Sequence, residues 1–269
     1  KQEVIFHAHS MYYIFLCWLA RVEFIATPMG SDVLVRPEQS RIYKFFATYS
    51  LKAAHTITVD SVALQEKIRH LCGRQSQLIQ NGIDTEKTQI LREQNRLRDK
   101  ILSVRGMDPN YRIEEILLAR NSSNKTMGID LIFPFKETGY LELVKKQLTI
   151  KDKIHGRVDK NTLYQFLSEA VAVFSIPVSD SSPRSVYEAI FCGTCVITTY
   201  GQWIELLPRC MRSRVLIVDI EKRDWFKNSI EKAKQIISTP FFPSSLAIEQ
   251  FDEIESMKIV CKNFYGEIF

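Results

Sequence analysis

The chain has 269 residues, 45% of them hydrophobic and 25% charged, including 16 Phe, 10 Tyr and 3 Trp. This length suggests one large or two modest domains with room for a real core, and the composition excludes a disordered or collagen-like chain. A net charge of +5, from 36 Lys and Arg against 31 Asp and Glu, is too mild for a chain built to coat phosphate backbones, but it suits an anionic ligand or an acidic membrane surface. The most apolar run, Met11 to Ala20, has half of the ~20 residues a spanning helix needs, so no transmembrane anchor is expected. No signal peptide is read before the strand-like start. Six scattered cysteines (Cys17, Cys72, Cys192, Cys195, Cys210 and Cys261) point to a reducing cytoplasm rather than a disulfide framework.

In chain order, apolar β-branched runs predict strands at Val4–Ala8, Glu23–Thr27, Thr56–Val59, Gln77–Ile79, Ile101–Val104, Ile129–Phe133, Val171–Ile176, Thr194–Thr198 and Val215–Val218. Helical patterns fall between them at Glu38–Ala54, Ser61–Leu71, Ile113–Ala119, Tyr140–Leu148, Pro183–Phe191 and Asp224–Ile237. Strand–helix alternation with continuously apolar strands predicts an α/β, doubly wound fold, its parallel sheets covered on both faces. The polar stretch Asp84 to Lys100 reads as an exposed helix or an interdomain linker, and complete patterns on both sides favour the linker. After Pro240 and Pro243 one last helix is expected, from Ser245 to about Tyr265. About four strands precede residue 84 where a doubly wound domain has five or six, so the N-terminal domain is expected to be incomplete at its start.

The segment Ser175 to Thr199 (SIPVSDSSPRSVYEAIFCGTCVITT) carries the chemistry. A buried strand runs into a polar turn, with Ser182 as the expected N-cap of a helix and Pro183 as its first residue. The amides of Arg184 and Ser185 would then point at an anion, aided by the helix dipole. Asp180 precedes this helix and Glu188 lies eight positions on, both at the carboxyl end of a parallel strand, where open α/β sheets bind ligands. Taken alone, the two acids also read as a turn cap and a surface helical residue.

Taken together, these residues resemble the retaining GT-B glycosyltransferases of the family 4 group. That family carries Glu-x7-Glu at this junction, matched here by Asp180-x7-Glu188 and the following EAIFCG. Asn81-Gly82-Ile83-Asp84 resembles the family's NGID, Ser103-Val104-Arg105 the strand carrying a diphosphate-binding arginine, and Gly156-Arg157-Val158 the nucleotide-side loop. Gly30-Ser31-Asp32 resembles HGSD, and His7-Ala8-His9-Ser10 the strand with an active-site histidine. The chain departs from the pattern in four places. The first family Glu is Asp180, the phosphate-binding lysine falls on Tyr111 with Arg112 next to it, the phosphate-loop glycine is Pro183, and the histidine of HGSD is Met29.

The resemblance implies two Rossmann-like domains facing a cleft: residues 1–84, a linker at 85–100, a nucleotide-sugar-binding domain at 101–244, and a helix at 245–269 crossing back. It implies a UDP- or GDP-linked sugar as donor, bound by Arg105, Arg112, Gly156, Arg157, Val158, Asp180, Ser181, Ser182, Arg184, Ser185 and Glu188. His9, Asp180 and Arg105 would take the catalytic roles, with Gly30 and Asp32 on the acceptor side. No metal or cofactor is implied, and the acceptor would be a glycan or lipid-linked saccharide in surface polysaccharide biosynthesis. The enzyme would be cytoplasmic, peripheral at the inner face of the plasma membrane, with no nucleic-acid partner. The other readings are a non-catalytic GT-B protein binding a nucleotide sugar or a partner, and a GT-B UDP-sugar epimerase. Cys192 and Cys195 read as buried structural residues rather than a redox or metal pair. His7 and His9 alternate along their strand, with one expected to face the cleft. The stretch Arg36–Lys52, with Ile42, Phe45, Phe46 and Tyr49 on one side, reads as a core-facing helix, or else as a contact with anionic lipids.

Overall fold

A computed structural model of the chain describes residues 6–94, 97–123 and 126–262. They divide into a unit that runs to Gly82 and takes up the chain again from Gln250, and a second unit, Ile83–Glu249.

The first unit alternates β1 (Phe6–His9), α1 (Ser10–Leu19), β2 (Phe24–Thr27), three short-to-medium helices α2 (Gly30–Leu34), α3 (Arg36–Gln39) and α4 (Arg41–Ala53), then β3 (Thr56–Val59), α5 (Val62–Cys72) and β4 (Gln77–Leu78). Its four strands pair in parallel in the order β1-β2-β3-β4. Ser40 and Ser61 begin α4 and α5 by accepting the N–H of Tyr43 (3.2 Å) and Leu64 (3.4 Å), and Gly73, at φ +75°, ends α5. The core gathers Ile14, Phe24, Leu51, Ile57 and Ile68 between sheet and helices.

The second unit opens with α6 (Thr85–Glu93) and continues β5 (Lys100–Ser103), α7 (Ile113–Ser123), β6 (Asp130–Ile132), α8 (Thr138–Lys145), β7 (Lys153–Gly156), α9 (Lys160–Ser168), β8 (Ala170–Ser175), α10 (Arg184–Phe191), β9 (Cys195–Thr198), α11 (Arg209–Arg212), β10 (Val215–Ile217) and α12 (Trp225–Ile237). The chain then forms α13 (Ser245–Phe251) and α14 (Glu253–Val260). All six strands are parallel, in the order β10-β9-β8-β5-β6-β7. The order therefore reverses between β5 and β8, the switch point of a doubly wound sheet. Ile101, Leu131, Phe174 and Ile197 pack against Leu117, Val144 and Phe226 of α7, α8 and α12 on one sheet face. Arg120 and Asp152, both fully buried, meet in a two-pronged ion pair at 2.6 Å that ties α7 to the turn before β7.

Several expectations change. Residues 85–93, read as part of a linker, are helix α6. Asp84 caps it through the Lys87 N–H (2.9 Å), and its narrow buried line of Thr88 and Leu91 gave too little apolar signal. The strand β7 was not anticipated, because Lys153 and Ile154 are exposed on a sheet edge and nothing there demands an apolar run. The single terminal helix is two helices: Asp252 sits between them in extended backbone and caps α14 through the N–H groups of Ile254 and Glu255. Residues 263–265 of that expected helix, and Val4 and Ile5 of the first expected strand, lie outside the described residues. On α4, Ile42, Phe45, Phe46 and Tyr49 are exposed, and the core-facing line is Ala47, Ser50 and Leu51 instead. Among the described residues no helix is long and apolar enough to cross a membrane.

Candidate active site

The loops leaving β5 and β8 lie side by side, because those strands are neighbours in the sheet, and they bring distant sequence together. Arg105, two residues past β5 and 8% exposed, donates through Nη1 to the Ser185 hydroxyl at 2.8 Å and through Nη2 to the Asp180 carboxylate. Its guanidinium stands 4.5 Å from the centre of the Tyr111 ring. Its Nε–H is buried with no acceptor among the described residues. Asp180 also accepts the backbone N–H groups of Ser181 and Ser182. Burial pushes its carboxyl above the usual range, and the Arg105 charge and those two amides pull only partly against it.

The two loops are laced together by Asn110. Its amide donates to the Ser179 carbonyl (3.0 Å) and accepts the Ser179 N–H (3.1 Å), while its own carbonyl accepts the Val178 N–H (2.7 Å). Neither Asn110 nor the stacking role of Tyr111 was legible in the sequence, since both depend on which strands are neighbours.

Helix α10 starts one residue later than expected. Pro183 is its N-cap, with its carbonyl accepting the Val186 N–H at 2.9 Å, and no side chain caps the end. Ser182 is therefore not the cap, because its backbone is committed to the Asp180 turn. The first-turn amides of Arg184 and Ser185 still have no carbonyl one helical turn before them. Glu188, 6% exposed, accepts from the fully buried Tyr164 hydroxyl of α9 at 3.2 Å and lies 3.4 Å from the Arg184 Nε. Burial holds Glu188 above the ordinary carboxylate range against Arg184 and Tyr164, and burial beside Glu188 drives the Tyr164 hydroxyl far upward. Neither Tyr164 nor the helix α9 that carries it is among the elements and site residues expected from the sequence.

The remaining predicted residues lie outside this hydrogen-bonded set. Arg112 turns the chain into α7 in a left-handed conformation (φ +48°). Gly156 ends β7 at the sheet edge, two strands beyond β5, at φ +66°, and Arg157 and Val158 follow it. Cys192 and Cys195 are free and buried, and burial pushes the Cys195 thiol up to about 12.

In the first unit, His9 ends β1 and is exposed. Contrary to the alternation expected of them, His7 and His9 share a face, since residues two apart on a strand point the same way. Their rings stack at 4.3 Å, and the His7 Nε2 lies 2.8 Å from the Thr27 hydroxyl. Burial, with the His9 charge, lowers the His7 pKa. Gly30 opens α2. Asp32, assigned to the acceptor side, is 5% exposed and committed inward: it accepts the Met11 N–H at 2.9 Å and pairs with Arg36 at 3.3 Å. It therefore anchors the start of α1. Among the described residues no group of three His, Cys, Asp or Glu side chains could hold a metal ion.

No protein-family model and no curated protein sequence matches the chain. Solved structures do. The Anabaena protein HepE in complex with UDP and glucose superposes with a TM-score of 0.76 at 16% identity, over 97% of this chain and 77% of that one. Sucrose-phosphate synthase from Thermosynechococcus elongatus gives a TM-score of 0.68 at 16% identity, covering 97% and 73%. An α,α-trehalose-phosphate synthase from Burkholderia xenovorans gives 0.71 at 9%, again covering 97% and 73%. The fold is that of the GT-B glycosyltransferases, two parallel-sheet Rossmann-like bodies.

Proposed function

We propose that the protein is a glycosyltransferase that takes a nucleotide-diphosphate sugar as donor, retains the anomeric configuration and needs no metal. The observation that carries this reading is the meeting of Arg105, Asp180 and Ser185 across the β5–β8 switch point, where an open α/β sheet binds its ligand. Structures of HepE with UDP and with UDP-glucose share this fold, which supports a UDP-linked donor; a GDP-linked one is the alternative.

In this reading Arg105 exchanges Asp180 for the donor's diphosphate. The guanidinium, held over the Tyr111 ring, and the first amides of α10 then face the charge that develops on the leaving group. Asp180, released from Arg105, accepts hydroxyls of the donor sugar, and Glu188, steadied by Tyr164, accepts those of the ribose. His9 of the first unit takes the catalytic role that the family resemblance implies. The acceptor is a glycan or lipid-linked saccharide of surface polysaccharide biosynthesis. The exposed aromatic face of α4, flanked by Arg41, Lys44 and Lys52, supports docking on anionic lipid.

Calorimetric titration with UDP, GDP and ADP tests the donor site. One nucleotide is expected to bind saturably, indifferent to EDTA, and to lose most of its affinity in Glu188→Ala. Binding of none of the three would overturn the assignment.

A further inference from the structure

The sheet of the second unit has a second cluster of charge at its other end. Arg98 lies two residues before β5, Arg214 directly before β10, and Arg92 in the last turn of α6. Arg98 and Arg214 therefore sit at the amino ends of parallel strands, opposite Arg105 and Asp180 at the carboxyl ends, and Arg92 joins them from the end of α6. They line one cavity of about 590 Å3, together with Gln89, Gly193 and the 237–243 segment.

Their packing is specific. Arg92 donates to the Phe191 carbonyl at 2.5 Å, and Arg98 to the carbonyls of Cys192 (2.6 Å) and Ala170 (3.1 Å) and the Thr194 hydroxyl (3.3 Å). Arg214, 3% exposed, donates to the carbonyls of Ile236 (2.8 Å) and Thr239. Gly193, at φ +81°, leaves room for this, since a Cβ there would stand 3.0 Å from the Arg98 Nη2. Arg92 and Arg214 stand 5.6 and 5.5 Å from the centre of the same Phe241 ring.

The cavity holds little balancing negative charge: the Glu93 carboxylate favours the Arg92 cation but does not outweigh its burial. Among the described residues no carboxylate pairs with any of the three arginines. The acid on the wall, Glu93, is exposed and accepts from Gln89 at 2.8 Å. Burial keeps the Cys192 and Cys195 thiols neutral. The carbonyls that end α10 and α12 offset part of the charge through the helix dipoles. They carry no full charge, however, and a guanidinium has five N–H donors, so each arginine keeps donors to spare. Burial pulls all three guanidiniums below their ordinary value, and for Arg98 and Arg214 the neighbouring arginines add to that. An anion in the cavity would relieve both costs.

We propose that this cavity is a binding site for a phosphate or pyrophosphate group, held by Arg92, Arg98 and Arg214 and separate from the donor site. The test is calorimetric titration of the full chain with inorganic pyrophosphate at low ionic strength. An Arg105→Ala background silences the donor site, so the result does not depend on the glycosyltransferase reading. Saturable binding is expected. Adding Arg92→Gln, which gives up a single carbonyl contact, should weaken it roughly tenfold or more, the loss of one charged hydrogen-bond donor. Adding Glu93→Gln, at an exposed position that does not threaten folding, should tighten it.

Flotation on phosphatidic-acid vesicles, compared with phosphatidylcholine, separates the two sources of the group. Pyrophosphate binding sensitive to Arg92→Gln identifies a free phosphorylated ligand, whereas flotation that Arg92→Gln abolishes identifies a lipid headgroup. Neither saturable pyrophosphate binding nor Arg92-dependent flotation overturns the proposal, and so does binding indifferent to both Arg92→Gln and Glu93→Gln.

Discussion

The side chains of Glu188, Asp152 and Asp180 in the second unit are largely shielded from solvent, and their partners decide which way each pKa moves. Glu188 has burial as its dominant influence, which Tyr164 and Arg184 offset only in part, so its folded pKa is raised. Between the ordinary carboxylate value and that raised value the folded protein binds more protons than the unfolded chain, so stability falls as pH rises through the window. Glu188→Gln is expected to remove that slope and to gain about 1 kcal/mol at pH 8, ~2–4 °C in a thermal melt, with little gain at pH 4. Asp152 is the opposite case. Burial alone would raise it, but the hydrogen bonds from Arg120 and from the Thr149 and Ile129 amides outweigh burial and hold it low. Its stabilisation is present above the unfolded pKa and is lost as pH falls through the folded one. Asp152→Asn, which strands a buried Arg120, should cost roughly 3–5 kcal/mol near neutrality, a deficit that narrows in denaturant titrations carried out in acid. Asp180 shares the raised direction of Glu188 but faces Arg105. Asp180→Asn is expected to leave nucleotide binding within about threefold and to lower kcat by at least about tenfold, in keeping with a contact to the reacting sugar rather than to the base.

At the level of elements, the chain is held by caps and close approaches that short motifs only hint at. In Asn81-Gly82-Ile83-Asp84, Gly82 lies against the backbone of Glu253 at the start of α14, where a Cβ would overlap the main chain, and Asn81 donates to Asp60 at 2.9 Å. Asp84 is the N-cap of α6. Gly82→Ala should therefore displace α14 and cost about 1–3 kcal/mol, whereas Asp84→Ala should cost about 1 kcal/mol, both read from denaturant midpoints. Helix α4 gives a test of a different kind. If its exposed aromatics rest on lipid, Phe45→Ser combined with Ile42→Ser should abolish flotation on anionic vesicles without lowering the melting temperature, because both side chains are more than half exposed.

For the molecule as a whole, the proposed donor binding would be linked to folding. A nucleotide that binds only the folded state adds RT ln(1 + [L]/Kd), about 2.7 kcal/mol at a hundredfold excess over Kd. The nucleotide selected by titration is expected to raise the melting temperature of the wild-type chain and to leave that of Arg105→Ala unchanged. An equal shift in both would place the ligand away from the β5–β8 switch point.

The sequence by itself determined the rhythm of the fold. Buried parallel strands must be continuously apolar, and the helices between them must carry one apolar face, so local pattern sufficed to place nine of the ten strands among the described residues within a residue or two. It also determined that Asp180 and Glu188 flank a helix start at a strand's carboxyl end. Only the tertiary structure decided what those groups touch. Arg105 and Asp180 are 75 positions apart and meet because β5 and β8 are neighbours, an outcome of strand order that no local window encodes. The same holds for Tyr164 on Glu188, for Arg92 and Arg214 over Phe241, and for Asp32, whose carboxylate accepts the Met11 N–H of α1. The polar composition of α6 and the aromatic stripe of α4 misled for one reason. Hydropathy reports what a residue prefers, and burial depends on whether another element arrives to cover it.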